Sequence, residues 1–151
     1  MSVDRVRQYF QDKGLNYQIL EFETSTATVE LAAAAVGVEP ARIAKTMAFR
    51  LKEEVIVVVA KGDARIDNRK FKDCFKQKAR MLSPEEVLEA TGYPVGGVCP
   101  FALENIAVHL DVSLQEFDYV YPAAGSPSSA VKIAPDELAD VTGGSWVDVC
   151  K

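Results

Sequence analysis

The sequence predicts a mixed α/β fold in a single domain, and three observations lead to that prediction. The chain has 151 residues, a length typical of one domain. Hydrophobic residues make up 48% and charged residues 26%, which is enough apolar material for one buried core. Segments with strand and helix patterns follow each other without the regular spacing of a βαβ repeat, so a doubly wound parallel sheet is not expected. We therefore expect one domain over residues 1–151.

The N-terminal segment predicts two helices with a short strand between them. Apolar spacing favours a helix from Val3 to Lys13, and Tyr17 to Phe22 is typical of a short strand. The second helix, Val29 to Val36, is rich in alanine and is closed by Gly37. Pro40 can begin a further helical turn, because its missing N–H is not needed there.

Two adjacent strands are predicted at Lys45–Leu51 and Val55–Ala60, joined by the charged turn Lys52-Glu53-Glu54. The second of these strands, VIVVVA, is β-branched and apolar on both faces. Such a strand is expected at the centre of a sheet that is covered on both sides.

The next segment, Asp67 to Lys78, predicts an amphipathic helix. Phe71, Cys74, Phe75 and Lys78 recur at helical spacing along one face. On that pattern Cys74 is predicted to be a buried core thiol.

The remaining elements are predicted from capping residues and from strand composition. Ser83-Pro84-Glu85-Glu86 has the pattern of a capping box, and the helix it begins is expected to end near Gly92. Further strands are predicted at Ile106–Leu110, Tyr119–Tyr121, Ser129–Ile133 and Trp146–Val149, with a short helix at Pro135–Val141.

Several classes of protein are not expected from the composition. No apolar stretch is long enough to cross a membrane, and the N-terminus lacks the apolar core of a secretory signal. Three cysteines without close pairing and a single histidine, His109, predict neither a disulfide framework nor a zinc site. We therefore expect a reduced, cytoplasmic domain without a metal or cofactor.

The net charge of −5 conceals a basic segment at residues 61–80. Eight basic and three acidic side chains lie within this segment. Such a local field can bind phosphates, although a solvated helix face would have the same composition. The basic side chains are Lys61, Arg65, Arg69, Lys70, Lys72, Lys76, Lys78 and Arg80.

Lys45 is a candidate functional residue because its neighbours in the predicted strand are apolar. A buried lysine needs an anionic or carbonyl partner, or its pKa is lowered. The alternative is that Lys45 lies at the first position of the strand and extends its ammonium to solvent. The spacing alone does not decide between these two interpretations.

The loop from Gly92 to Phe101 is a second candidate. Its adjacent glycines and two prolines allow backbone amides to point at a ligand carbonyl or phosphate, although such clusters are more often ordinary tight turns. Cys99 could act as a nucleophile with His109 as base, but His109 alternates with Val108 and Leu110 and is expected to face outward. The hydroxyl-rich turn at residues 123–129 is typical of a loop.

Three runs of residues, taken in order, resemble one known family. They are Val36–Val38 with Ile43–Met47, the loop Gly96–Phe101, and Ala124–Ser126 with Asp136–Leu138. Together they are similar to the YbaK/EbsC-type free-standing editing domains, which are related to the insertion domain of bacterial prolyl-tRNA synthetase. The resemblance extends over essentially the whole chain.

This resemblance implies a curved, barrel-like mixed sheet surrounded by helices. It also implies hydrolysis of the ester that links a wrong amino acid to the 3′ end of a tRNA, above all tRNA(Pro). An aminoacyl ester is already activated, so its hydrolysis needs positioning and oxyanion stabilisation more than a strong nucleophile. The alternative is a module that binds the aminoacyl group, or docks on a synthetase, without activity.

The resemblance implies three groups of site residues and no cofactor or metal. Lys45 would hold the terminal nucleotide or an ester oxygen, the loop amides would orient the carbonyl, and Cys99 would shape the pocket. Glu137 stands where relatives often have aspartate. The catalytic group is Lys45, Gly96, Gly97, Cys99 and Pro100. The substrate-binding group is Thr46, Met47, Phe49, Val98, Phe101, Gly125, Ser126, Ser129 and Glu137. The tRNA-binding group is Lys61, Arg65, Arg69, Lys70, Lys72 and Lys76.

The expected partners are the acceptor end of an aminoacyl-tRNA and an aminoacyl-tRNA synthetase. No association with a membrane is expected. A monomer and a homodimer are both compatible with the sequence.

Overall fold

The computed structural model describes residues 2–151 and has a mixed α/β fold, which confirms the predicted fold class. The α-helices are α1 (Ser2–Asp12), α2 (Val29–Val36), α3 (Asn68–Phe75), α4 (Pro84–Thr91) and α5 (Pro135–Thr142). The strands are β1 (Ile19–Glu21), β2 (Ile43–Arg50), β3 (Val55–Lys61), β4 (Ala107–Asp111), β5 (Tyr121–Pro122), β6 (Ser129–Val131) and β7 (Ser145–Val147). Short 3₁₀ helices lie at Pro40–Arg42 and Val112–Glu116.

The larger sheet has five strands in the order β5-β2-β3-β4-β7. Strands β2 and β3 are antiparallel, while the β2–β5, β3–β4 and β4–β7 pairs are parallel. The two-stranded sheet pairs β1 with β6, and an isolated bridge joins Val120 to Ile133 beside it. Strand β3 is central, as its doubly apolar sequence predicts. Closure of these sheets into a barrel remains a prediction.

Alternation along β3 divides the core into two layers. Ile56 and Val58 face the side of the sheet covered by α3, where Phe49 and Phe71 pack with ring centroids 4.9 Å apart. Val57 belongs to the opposite layer, which contains residues of α4. Because successive strand residues point to opposite faces, one uninterrupted apolar run supplies both layers.

The predicted start of α4 and the predicted end of α2 agree with the observed capping. Ser83 and Glu86 form a reciprocal capping box at the start of α4. Thr28 accepts a hydrogen bond from the Leu31 N–H at the start of α2, and Gly37 ends this helix in the left-handed conformation. The start of α2 borders a cavity along the edge of β2.

The prediction that Cys74 is buried is wrong. Helix α3 ends at Phe75, because Lys76 adopts a φ of 62° and its N–H donates to the Lys72 carbonyl. The helical stripe is therefore shorter than predicted, and the Cys74 side chain is exposed. Phe71 and Phe75 pack α3 against the apolar layer below it.

The prediction that His109 faces outward is also wrong. His109 is half-buried on β4, and its ring makes an edge contact with Phe75 of α3 at a centroid distance of 4.9 Å. Its Nδ1 atom is buried without a hydrogen-bond partner among the described residues. Alternation along β4 does not predict this burial, because the helix that covers this face comes from elsewhere in the chain.

We expect the stability of the protein to fall in mildly acidic solution through His109. Burial lowers the pKa of His109 below its ordinary value of 6.5, while the Glu54 carboxylate opposes that shift. The unfolded chain therefore takes up a proton first, so this contribution is complete above pH 6.5 and is lost as the pH falls through the folded pKa. Denaturant unfolding between pH 7 and 5 should show a smaller decline for His109→Gln than for the wild type. Equal declines would contradict the assignment.

Candidate active site

A cavity of about 290 Å³ lies along the outer edge of β2. Its walls come from the start of α2, from α4, from the loop around Gly96 and from β6. The cavity exists because two short segments pair with β2 and leave the middle of its edge open. Strand β5 pairs with Ile43 and Ala44 only, and Met81 forms a bridge with Phe49 further along.

Lys45 is the third residue of β2 and lines this cavity. Its Nζ atom donates hydrogen bonds to the carbonyl of Gly62, at 3.2 Å, and to the carbonyl of Ala64. Burial lowers the pKa of the Lys45 ammonium below its ordinary value. The structure therefore favours the buried interpretation, in which carbonyl groups are the partners and take two of the three N–H donors of the ammonium.

The residues that hold Lys45 could not be found from the sequence. Gly62 and Ala64 contribute only main-chain carbonyls, which leave no side-chain signal. A side chain at Gly62 is excluded, because its Cβ would lie 2.1 Å from the Pro40 carbonyl oxygen. The turn after β3 is therefore fixed closely against the 3₁₀ helix that precedes β2.

The two glycines of the predicted loop each approach another main chain closely. Gly96 has a φ of 91°, and a Cβ there would lie 2.9 Å from the Ala27 Cβ. A Cβ on Gly97 would lie 2.8 Å from two main-chain atoms of Ser126. The loop therefore lies against both the start of α2 and the hydroxyl-rich turn, and no larger residue fits without displacing one of them.

A buried network supports this loop from below. Tyr93 is fully buried, and its hydroxyl donates to the Phe101 carbonyl at 2.6 Å. Arg5 of α1 lies over the Tyr93 ring at 4.6 Å and donates to the Ala102 carbonyl. The two ends of the loop are thus connected through one aromatic side chain and one guanidinium group.

The structure brings six of the sequence-predicted residues to the cavity. They are Lys45, Thr46, Met47, Gly96, Val98 and Ser129. Most other lining residues are small or apolar and were not predicted, among them Ala27, Val87 and Tyr121. They lie in the segment before α2, in α4 and in β5, whose sequences carry no motif that marks a site.

The other predicted site residues lie elsewhere. Phe49 packs against Phe71 in the layer below α3, and Phe101 packs against Phe10 with ring centroids 4.9 Å apart. Neither side chain therefore forms a cavity wall, because each is enclosed by the core. Gly97, Cys99, Pro100, Gly125 and Ser126 flank the lining residues without lining the cavity themselves.

Glu137 is also outside the cavity. This exposed residue accepts a hydrogen bond from the Tyr17 hydroxyl at 2.9 Å. Burial, followed by this hydrogen bond, raises the pKa of Tyr17 to about 12. The carboxylate connects α5 to the segment before β1.

Cys99 is not placed to act as a nucleophile. The side chain is fully buried, and burial raises the pKa of its thiol to about 12. The thiolate is the reactive form of cysteine, so this thiol is inert at neutral pH. His109 contacts Phe75 on the α3 side of the sheet and is not a lining residue of the cavity.

Some cations of the basic segment at residues 61–80 form ion pairs, and others do not. Lys61 contacts Glu116 at 3.2 Å, and Lys70 contacts Asp148 at 3.0 Å. The other predicted tRNA-binding cations are exposed and form no ion pair among the described residues; they are Arg65, Arg69, Lys72 and Lys76. The chain after α3 leads to Met81, which lines the cavity.

Comparison with known families decides what kind of site this is. A family model described as the aminoacyl-tRNA editing domain matches residues 23–141. The chain belongs to this family. It is therefore an aminoacyl-tRNA deacylase, an enzyme whose substrate is an aminoacyl-tRNA and which hydrolyses mischarged species.

The relatives of this editing domain are of two kinds. The uncharacterized protein YwhH of Bacillus subtilis (strain 168) is 51% identical, over 100% of this chain and 98% of its own length. The proline–tRNA ligase of Desulfovibrio desulfuricans is 30% identical over 81% of this chain, which corresponds to 21% of the ligase. The domain thus resembles both a protein of its own size and a segment of a much longer synthetase.

Solved structures give the same result. A hypothetical protein, APE2540, has a TM-score of 0.90 with 34% identity, and the match covers 97% of this chain and 99% of that chain. A protein proposed as a trans-editing enzyme for prolyl tRNA synthetase also has a TM-score of 0.90, with 30% identity over 99% of this chain and 97% of that chain.

The described residues contain neither a membrane-spanning helix nor a cluster of metal ligands. No helix among residues 2–151 is long and apolar enough to cross a membrane. In the same part of the chain, no cluster of three or more histidine, cysteine, aspartate or glutamate residues could hold a metal ion.

Proposed function

We propose that this editing domain acts in trans on tRNA(Pro) that carries a wrong, small amino acid. The likeness to segments of proline–tRNA ligases and to a proposed trans-editing enzyme supports the choice of tRNA. The small, mostly apolar cavity beside Lys45 supports a compact acyl group. In this role the domain works in the cytoplasm, beside the synthetase that makes the error.

The arrangement of Lys45 and the Gly96 loop at one cavity carries this proposal. The Lys45 ammonium binds the terminal nucleotide or an ester oxygen with the donor that Gly62 and Ala64 leave free. Amides of the loop from Gly96 to Pro100 orient the carbonyl and stabilise its developing negative charge. Met47, Val98 and Ser129 contact the acyl group.

The reaction itself needs only water and the bound ester. A water molecule adds to the ester carbonyl. The carbonyl–oxygen bond to the ribose then breaks, one proton of the water goes to the ribose oxygen and the other to solvent, and the amino acid leaves as its carboxylate. If the neighbouring ribose hydroxyl adds first, the acyl group only moves to that oxygen, and water then hydrolyses the new ester in the same way. Positioning supplies much of the acceleration, because the ester is already activated.

The exposed part of the basic segment binds the phosphates of the acceptor stem in this proposal. Replacing Lys72 and Lys76 by glutamate should weaken tRNA binding and reduce its salt dependence by about one unit of slope for each lysine–phosphate pair that is removed. Filter binding at several salt concentrations measures both quantities. The matched control is the pair Lys13→Glu and Lys132→Glu, which changes the charge equally on other surfaces. Equal behaviour of the two double variants would remove the basic segment from the proposal.

A deacylation assay on a panel of charged tRNAs tests the function. The panel contains tRNA(Pro) charged with alanine, cysteine, serine or proline, and a second tRNA charged with alanine. We expect rapid loss of one mischarged tRNA(Pro) and little loss of the prolyl form. No hydrolysis across the panel, with binding of an aminoacyl analogue intact, would favour the inactive binding module.

A further inference from the structure

Thr46 occupies the open stretch of the outer edge of β2. On one side of it, β5 pairs with Ile43 and Ala44. On the other side, the Leu82 N–H donates to the Ala48 carbonyl at 3.1 Å, and the Arg50 N–H donates to the Arg80 carbonyl at 2.8 Å. No strand pairs with this edge at Thr46 in the described part of the chain.

The main chain of Thr46 points into the cavity. In an antiparallel ladder, the main-chain groups of alternate residues point to the same edge. Ala48 and Arg50 form their bonds away from β3, so the N–H and carbonyl of Thr46, two residues earlier, also point away from β3. Thr46 lines the cavity there.

The side chain of Thr46 adds a third polar group without a partner. Among residues 2–151, two buried side-chain polar atoms have no hydrogen bond, Thr46 Oγ1 and His109 Nδ1, and only Thr46 lines the cavity. The other buried or half-buried hydroxyls nearby are satisfied: Thr26 donates to the Ser129 carbonyl, and the Ser129 hydroxyl donates to the Ser126 carbonyl. A buried hydroxyl without a partner is costly, so a bound ligand is the expected partner.

We infer that Thr46 binds the α-amino ester end of the substrate and selects for a free α-ammonium group. The Thr46 carbonyl accepts from the ammonium, as in the addition of a strand to a sheet edge, and the N–H and Oγ1 bond to the oxygens of the ester. An α-amino ester has an ammonium donor next to a carbonyl acceptor. These two groups match the main-chain carbonyl and N–H of one strand residue. This inference rests on the proposed function and adds the group by which the acyl end is recognised.

The variant Thr46→Val tests the inference because it removes the hydroxyl with little change in shape. We expect kcat/KM for the preferred aminoacyl-tRNA to fall about tenfold. The melting temperature should stay unchanged or rise, because an unsatisfied buried hydroxyl has been removed. A loss of activity without a loss of stability distinguishes a ligand contact from a structural role.

Thr142→Val is the matched control. The Thr142 hydroxyl donates to the Leu138 carbonyl at 2.7 Å and accepts from the Gly144 N–H at 3.1 Å, away from the cavity. This variant should lower the melting temperature and leave kcat/KM unchanged. If Thr46→Val loses stability and activity together, or loses neither, the inference is wrong.

The recognition of the ammonium group is tested with the N-acetylated substrate. The wild type should hydrolyse the N-acetyl-aminoacyl-tRNA at least about tenfold more slowly than the free form. Equal hydrolysis of the two would overturn the inference while leaving the proposed deacylase function in place.

A binding experiment tests the inference even if the protein shows no deacylation. The probes are 3′-deoxy-3′-alanylamino-adenosine and its N-acetyl derivative, measured by titration calorimetry. Tighter binding of the free amine by the wild type, reduced in Thr46→Val, would support the inference even without hydrolysis in the panel. Equal binding of the two probes, or binding of neither, would overturn it.

Discussion

Replacing Lys45 by methionine is expected to lower kcat/KM for deacylation by about 10²- to 10³-fold. The variant retains an aliphatic side chain in β2 and removes the ammonium that donates to Gly62 and Ala64. The fold should persist, because Lys45 is only half-buried and methionine keeps the length of the side chain. Single-turnover deacylation measures the effect, and circular dichroism with a thermal melt shows that the fold is retained.

The matched control is Lys13→Met, which removes an exposed lysine just after α1 that has no place in the proposed site. This control should retain the rate of the chemical step. A Lys45→Met enzyme within a few fold of the wild type would show that the ammonium only anchors the turn at Gly62. The role of the residue in the proposed mechanism would then be withdrawn.

The substitution Gly97→Ala is expected to have the second largest effect. Its Cβ would lie 2.8 Å from the Ser126 main chain, and neither main chain can move like a flexible side chain. The loop and the turn must separate, which is expected to cost about 1–3 kcal/mol of stability. Because Gly96 and Val98 line the cavity on either side of Gly97, we also expect deacylation to fall about a hundredfold.

The control variant Gly143→Ala separates the expected loss of stability from the expected loss of deacylation. Gly143 has a φ of 69° with no atom near its Cβ position, so alanine there introduces strain of about 1–2 kcal/mol without a displacement. The two variants should lose similar stability in urea unfolding, and only Gly97→Ala should lose activity. Full activity in Gly97→Ala would mean that the loop does not orient the carbonyl.

Local signals predicted most of the secondary structure. The capping box at Ser83, the glycine that ends α2 and the doubly apolar run of β3 each act within a few residues, so their effect can be deduced from the sequence. The predictions for Cys74 and His109 failed because burial depends on distant segments. The left-handed residue Lys76 ended α3 early, and Phe75 then covered a strand more than thirty residues away in the chain.

The sequence predicted the position of the candidate site better than it predicted which side chains line the cavity. Lys45, Thr46 and the Gly96 loop were predicted and lie at one cavity. Phe49 and Phe101 were predicted to bind the substrate, but both belong to the core. Adjacency in sequence does not determine which face of a strand or loop a side chain occupies.

The sequence by itself determined the mixed α/β class, the family resemblance and the motifs of the site, because each depends on residues close together in the chain. Only the tertiary structure decided the state of Lys45 and the open edge at Thr46. Carbonyl groups from the turn after β3 hold the ammonium, and the shortness of β5 leaves the edge of β2 unpaired. Both features are formed by main-chain groups from distant segments, and a main-chain group has the same chemistry whatever the side chain it carries.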